Sequence, residues 1–349
     1  MPDFLLFALI LGVLILGHEL GHFVAARAGG VRIDEFGIGF PPRLATLFRA
    51  GGTRFTINAI PLGGFVRPAG EDNPEIPGGL AAAGKGTRAA VLIAGPLANI
   101  LIAFLAFTAA YRFAAPDFAR TSISSVAENS PAQAAGLLPG DVIIEFQDQP
   151  VTSLDTLQAA IAASLGKAAV ITIERGGSQL RYELTPRLNP PEGQGAIGII
   201  TGNPLRTVPW LEAARLGAES VRLQFREIVY LPGRLIQGQV APEEARVTGL
   251  KGMHDMLSWA RDIDRNAQRP FLTLTLVGVI STGLALANLL PIPALDGGRL
   301  MFVAFEAIFG RRISPRYEGL AHAIGFALLL ALMLYVNIQD FVNPIALPR

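Results

Sequence analysis

A chain of 349 residues that is 51% hydrophobic and 16% charged carries too few charges for an ordinary soluble protein, in which about a quarter of residues are charged. Its mean hydropathy of +0.42 points to a membrane protein with a soluble portion, and its net charge of +1 gives no basic field that would draw nucleic acid. It has no cysteine, which excludes disulfides and cysteine-ligated zinc, so any metal would be held by His, Asp or Glu.

The first apolar run starts at Phe4 and reaches about Ala26, inside a first membrane helix assigned to residues 1–30. It is near the ~20 residues a helix needs to cross a bilayer. A cleavable signal fits poorly, because "MPDFLL" holds Asp3 and neither Lys nor Arg. Residues 31–87 read as a loop with a β-segment: "TRFTINAIPLGGFV", 53–66, alternates enough to predict a hairpin. A second membrane helix is expected over 88–112. Residues 117–188 read as a small α/β module. Its strands are "TSISSV" and "VIIEF", a helix starts at the Ser153 cap, and a hairpin turns at Gly176-Gly177. Residues 204–268 read as amphipathic and helical, with Glu212–Arg215 and Glu219–Arg222 at helical spacing. This region is expected at the membrane surface, ended or kinked by Pro232-Gly233. A third membrane helix with a following helix is expected over 269–310, and a fourth over 317–340. Arginines crowd the loops after the first and third of these spans, among them Arg27, Arg32, Arg43, Arg299, Arg311 and Arg312. The positive-inside rule then places those loops in the cytoplasm, and both termini and the segment 112–270 outside.

Within the first span lies "HELGH", 18–22. Ionisable groups at membrane depth are costly and tend to be functional. Residues i and i+4 share one helix face, so His18 and His22 point the same way and can hold one zinc ion. Glu19, beside the first imidazole, can reach a water on such an ion without being a ligand. A catalytic zinc needs a third protein ligand. His254 falls on the wrong side of the membrane, while His322 and Asp296 are both at a compatible depth. Asp296 is favoured, because it sits in "NLLPIPALDGGR", 288–299. There Pro291 and Pro293 break the helix, and a broken backbone at that depth belongs where it lines a cavity.

"HELGH" together with "NLLPIPALDGG" resembles the site-2 protease family of intramembrane zinc metalloproteases, and within it the bacterial regulator of sigma-E protease branch. "NAIPLGGFV", 58–66, resembles that family's re-entrant β-loop, and "AGPLAN", 94–99, its Gly-Pro-x-x-Asn motif. The resemblance implies His18, His22 and Asp296 as ligands of one Zn²⁺ and Glu19 as general base. It implies substrate-handling or structural roles for Asn288, Pro291, Pro293, Asn99, Gly63 and Gly64. "AGLLPGDVI", 135–143, resembles a bacterial PDZ domain, here single. "VTGLKGMHDML", 247–257, departs from the family's "GGPVGI"-like stretch, and no role is carried across. The implied fold is a mainly α membrane protein with about four transmembrane helices, a re-entrant β-hairpin and an extracytoplasmic α/β PDZ domain. The implied activity is zinc-dependent intramembrane cleavage of membrane-anchored proteins, such as an anti-sigma factor or a remnant signal peptide, in the bacterial inner membrane. Expected partners are single-span substrates, peptide ends at the PDZ groove and the lipid bilayer, without nucleic acid. The alternative is a catalytically inactive relative that binds transmembrane helices as a scaffold or sensor.

Overall fold

The structure, a computed structural model, describes residues 2–349 apart from 72, 192, 241–245, 346, 348 and 349. In chain order it runs α1 (Asp3–Ala28), β1 (Ile33–Ala50), β2 (Thr53–Pro68), α2 (Lys85–Ala114), β3 (Ala115–Pro116), β4 (Thr121–Val126), α3 (Pro131–Ala135), β5 (Val142–Phe146) and β6 (Gln149–Pro150). It continues with α4 (Leu154–Ala163), β7 (Ala169–Arg175), β8 (Ser178–Leu184), β9 (Ile199–Gly202), β10 (Leu205–Arg206), α5 (Trp210–Ile236), α6 (Leu250–Ala267), α7 (Phe271–Leu289), α8 (Asp296–Phe309) and α9 (Pro315–Val342). Two compact units result. One joins Met1–Ala110 with Trp210–Arg349, and the other is Tyr111–Pro209.

In the first unit, α1, α2, α7 and α9 are long and apolar enough to cross a membrane. Their outward residues are apolar too: Leu5, Leu9, Val13 and Val24 of α1 are more than half exposed. Helices apolar all round belong in a bilayer rather than in water. Helix contact is made through small residues, as is usual between membrane helices. A Cβ on Gly21 would strike the carbonyl of Ala94 and the side chain of Ala98, so α1 and α2 touch backbone to backbone there.

Helix α6 ties three helix ends together. Arg261 pairs with Asp3 at the start of α1. The Asp264 carboxylate accepts from the N–H groups of Leu272 (2.9 Å) and Thr273 (2.8 Å), which open α7. In return, Asp340 near the end of α9 accepts from Gly249 and Gly252, both at 2.9 Å, capping α6 itself. Phe7, Leu257, Ala260 and Leu276 pack beneath these bonds. The N-terminal ends of α1 and α7 and the C-terminal end of α9 therefore share one side. The C-terminal half of α1 reaches the opposite side, where Arg88 pairs with Glu306 and Arg299 with Glu71.

The segment read as a hairpin within 53–66 is built differently. Thr53–Pro68 is one strand, and its partner is Ile33–Ala50. Residues 35–38 pair with 54–57 as well as with 64–67, and 45–50 pair with 53–57. The pair thus bends back on itself into a small layered sheet. The bends fall at Gly39 (φ +79°) and Gly63 (φ +91°), backbone conformations that glycine adopts without strain. The helix expected to stop or kink at Pro232 runs on to Ile236. Part of the amphipathic region 204–268, residues 241–245, lies outside the described residues.

The second unit holds a sheet in the order β8-β7-β5-β4-β9, with β6 paired to β5. Its core is Ile123, Leu137, Ile143, Phe146, Leu157, Ile171 and Ile173, all at most 2% exposed. Ser130 caps α3 and Ser153 forms a capping box with Thr156 on α4. Asp141, 1% exposed, takes a two-pronged ion pair from Arg175 (2.6 and 2.7 Å) and the N–H of Leu138 (2.8 Å). Burial alone would push the Asp141 carboxyl up, but these donors outweigh it and hold the group below the usual carboxylate value.

Candidate metal centre

Helical spacing puts His18 and His22 on the face of α1 that meets α2. Their Nε2 atoms are 3.1 Å apart, and the rings meet edge to face with centroids 4.7 Å apart. Gly95 of α2 allows this. A Cβ there would lie 2.8 Å from His18 Cε1 and 2.6 Å from His22 Cε1. The Nδ1–H of His22 donates to the Val91 carbonyl at 2.8 Å, which in a neutral ring leaves the lone pair on Nε2. His18 Nδ1 is 3.4 Å from the side-chain amide of Asn99, a residue 1% exposed. The amide oxygen of Asn99 has no hydrogen-bond partner. Turning the amide over would give His18 Nδ1–H an acceptor and leave its Nε2 lone pair free as well.

Asp296 arrives from a different part of the chain. Pro291 and Pro293 end α7 and carry the backbone through a tight turn into α8, whose first residue is Asp296. Gly297 and Gly298 let the first turn of α8 lie against that backbone: a Cβ on either would strike the carbonyls of Leu289 and Leu290 or of Ile292. Ala294 has φ +82°, a left-handed conformation that costs a non-glycine residue roughly 1–3 kcal/mol. Its N–H donates to Nδ1 of His322 at 2.7 Å. His322, the alternative third ligand of the sequence reading, is engaged in this way two residues before Asp296.

The result is a convergence of three donors. Asp296 Oδ2 is 3.1 Å from His18 Nε2 and 3.3 Å from His22 Nε2, and no pair among the three exceeds 4.8 Å. Asp296 Oδ2 is buried without a hydrogen bond of acceptable direction. Ligands about 2.0–2.1 Å from a tetrahedral zinc stand about 3.3 Å from one another. Donor set, spacing and the orphaned carboxylate oxygen all fit that ion. Glu19 stays outside the trio, and its Oε2 accepts from the Val66 N–H of β2 at 2.9 Å. The trio and Glu19 line a cavity of about 440 Å³ together with Gly64 and Asn288. Asn288 donates to the Leu284 carbonyl at 3.0 Å, while a Cβ on Gly63 would meet the Phe40 ring. His254 is elsewhere, on α6 against Phe7 and Asp255.

Residues 6–332 match the model of peptidase family M50. The chain belongs to that family. The M50 peptidases are the site-2 protease family that the two metal motifs resemble, and this member is a metalloendopeptidase and a multi-pass membrane protein. It is 30% identical to a protein of Clostridium acetobutylicum named as a zinc metalloprotease, over 97% of this chain and 96% of that one. It is 32% identical to a protein of Nostoc sp. with the same kind of name, over 95% and 93%. It is 29% identical to the metalloprotease MmpA of Caulobacter vibrioides, over 95% and 93%. Among solved structures, a PDZ domain of an SdrC-like protein from Listeria monocytogenes matches 24% of this M50 chain and 90% of its own length, at 22% identity and a TM-score of 0.22.

The side chains that sequence reasoning missed are those whose role depends on a neighbour. Gly95 lay within a recognised motif but gave no sign of the imidazoles it faces. Val66 and Val91 act through backbone groups, which no side-chain pattern marks.

Proposed function

We propose that this M50 peptidase is an intramembrane zinc endopeptidase, with one Zn²⁺ held by His18, His22 and Asp296, that cuts the membrane segments of anchored proteins. The observation that carries the reading is the convergence of His18 and His22, on an apolar spanning helix, with Asp296 from the start of α8, opening on a cavity beside Glu19. A zinc ion bound there supplies Lewis acidity, which polarises the scissile carbonyl and makes water easier to deprotonate near neutral pH. Glu19 takes the proton of the attacking water and delivers it to the leaving amine. Val91 and Asn99 fix the two imidazoles, so that their Nε2 atoms face the cavity before any substrate arrives. Pro291 and Pro293 set the turn that presents Asp296.

A substrate helix hides its peptide bonds behind its own hydrogen bonds and has to unwind to be cut. Capture of the unwound stretch by strand addition is supported by residues 64–68. Among the described residues they pair on one side only, with 33–38. Val66, on that edge, aims its N–H at Glu19, so a bound strand would lie beside the base. Gly64 lets this edge lie close to Leu16 and Glu19 of α1, Gly63 makes room for the Phe40 ring, and Asn288 borders the same cavity as Gly64. In this reading β1 and β2 re-enter the membrane from the cytoplasm and the active site opens to that side. Both termini lie outside with the unit Tyr111–Pro209, which acts as a PDZ domain for peptide ends. An anti-sigma factor, a remnant signal peptide or another single-span protein is compatible with such a site.

The test is cleavage of a panel of tagged single-span proteins by the detergent-purified chain and its Glu19→Gln variant, with the cut located by mass spectrometry. The expected result is a cut inside the apolar segment that the variant does not make. Equal cleavage by both proteins would remove Glu19 as the base.

A further inference from the structure

We propose that His322 is a positioning residue for the metal site, an acceptor on α9 that locks the turn presenting Asp296. The inference rests on Asp296 being a ligand, as argued above.

Three features of the turn meet at one face of α9. Ala294 holds a left-handed conformation that its side chain disfavours. Its N–H is satisfied by His322 Nδ1 at 2.7 Å, a contact between residues 28 positions apart. One helical turn further along α9, Gly325 is buried against Pro293. A Cβ at 325 would strike the Pro293 carbonyl and lie 2.8 Å from the Pro293 Cβ. The imidazole of His322 is braced on its other side by Phe302 of α8, edge to face at 5.5 Å. Glycines 297 and 298 pack the first turn of α8 onto 289–293 from beneath. The stretch 292–295 is thus gripped between α8 and α9, and the carboxylate of Asp296 leaves from the end of that grip.

An acceptor is chemically required at this place. A left-handed residue turns its N–H away from the carbonyls that a helix or a regular turn would offer, and an unsatisfied N–H in a partly buried turn favours a different backbone. Relaxing Ala294 would rotate the chain two residues upstream of Asp296 and withdraw Oδ2 from the imidazoles of α1. His322 therefore acts on the metal through the backbone, by holding a ligand that it does not touch.

The test uses the full-length chain in detergent and reads zinc affinity by titration with a chelator of known affinity, alongside cleavage. His322→Leu removes the acceptor. His322→Asn keeps an oxygen close to where Nδ1 stands. Gly325→Ala presses on Pro293 from the same helix and serves as a second variant should His322→Leu not yield monodisperse protein. The expected result is a loss of zinc affinity of about tenfold or more for His322→Leu and Gly325→Ala, the range seen when outer-shell partners of metal ligands are removed, with His322→Asn within a few fold of wild type. Wild-type zinc affinity in His322→Leu, or in Gly325→Ala where His322→Leu cannot be prepared, overturns the proposal, and so does His322→Asn as weak as His322→Leu. His18→Ala is the control that separates the two layers. If it too retains zinc, the ligand assignment itself is wrong and the role of His322 falls with it. If it loses zinc while His322→Leu does not, only the lock is refuted.

Discussion

Replacing Gly95 by Ala adds one methyl group at the contact between α2 and the two imidazoles, and the structure gives the direction and size of its effect on activity. In the interior of α2, Ala is a better helix former than Gly by up to about 1 kcal/mol, so the helix itself gains. The new Cβ would sit 2.6 Å from His22 Cε1 and 2.8 Å from His18 Cε1, against 3.4 Å or more for ordinary contact. His22 Nε2 is closer still, so at least one ring, or the helix behind it, has to retreat by about 1 Å in an interior that is close-packed, and overpacking of that kind costs about 1–3 kcal/mol. A misplacement approaching 1 Å in a catalytic constellation costs about a hundredfold in rate. Gly95→Ala is therefore expected to lower kcat/KM on a single-span substrate by one to two orders of magnitude, with zinc affinity reduced and thermal stability unchanged or lowered by up to about 2 kcal/mol, the overpacking cost less the helix gain. The assays are steady-state cleavage, chelator titration and scanning fluorimetry on the same detergent preparation. Wild-type cleavage and zinc retention would refute the reasoning, because they would mean that the imidazoles do not lie against α2 where the structure has them. A fall in activity that merely tracks a fall in stability would refute it equally.

Other outcomes follow from the helix cap and from the buried ion pair of the second unit. Asp340→Ala leaves the N–H groups of Gly249 and Gly252 without their acceptor in a site 1% exposed, and buried donors left unpaired cost about 1–3 kcal/mol each. A clear drop in Tm and faster hydrogen exchange at 249–252 are expected, whereas a Tm within about a degree of wild type would show that the cap contributes nothing. Asp141 has its carboxyl held below the ordinary 3.8 in the folded chain, so its contribution is fully present above that value. The contribution is lost as pH falls through the lower folded value. Hydrogen exchange in β5 and β7 is therefore expected to quicken in wild type only below about pH 4. Asp141→Asn is expected to be weakened already at neutral pH and to lack that acid step, and identical profiles for the two would count against the ion pair.

The meeting of the three candidate ligands was legible because its parts announce themselves locally. The spacing of His18 and His22 fixes a shared helix face whatever surrounds it, and two prolines and two glycines around Asp296 mark a broken backbone that has to line something. The role of His322 was not legible. The residue type allows it to bind a metal or to accept a hydrogen bond, and only the fold shows that its Nδ1 meets an amide. Strand β1 was hidden for a different reason. Gly37, Gly39 and the pair Pro41-Pro42 interrupt its alternation, and pairing with two separate stretches of β2 supplies the order that local propensity does not. Pro232-Gly233 allowed either an end or a kink, and the structure excludes the end. A proline forfeits one hydrogen bond of its helix, yet α5 runs through it for a further turn.

The fastening of α1, α7 and α9 by α6 makes a lever of the first helix. Were these helices to part with Asp3, Asp264 and Asp340 still held, displacement would grow with distance from that end. From Asp3 to His22 is about 28 Å along the axis, so a 5° tilt of α1 would carry His22 about 2.5 Å while barely disturbing the fastened end. The close packing of Gly21 on Ala94 and of Gly95 on the imidazoles is what opposes such a tilt at the depth of the three donor atoms. A small swing there is enough to separate them or bring them together.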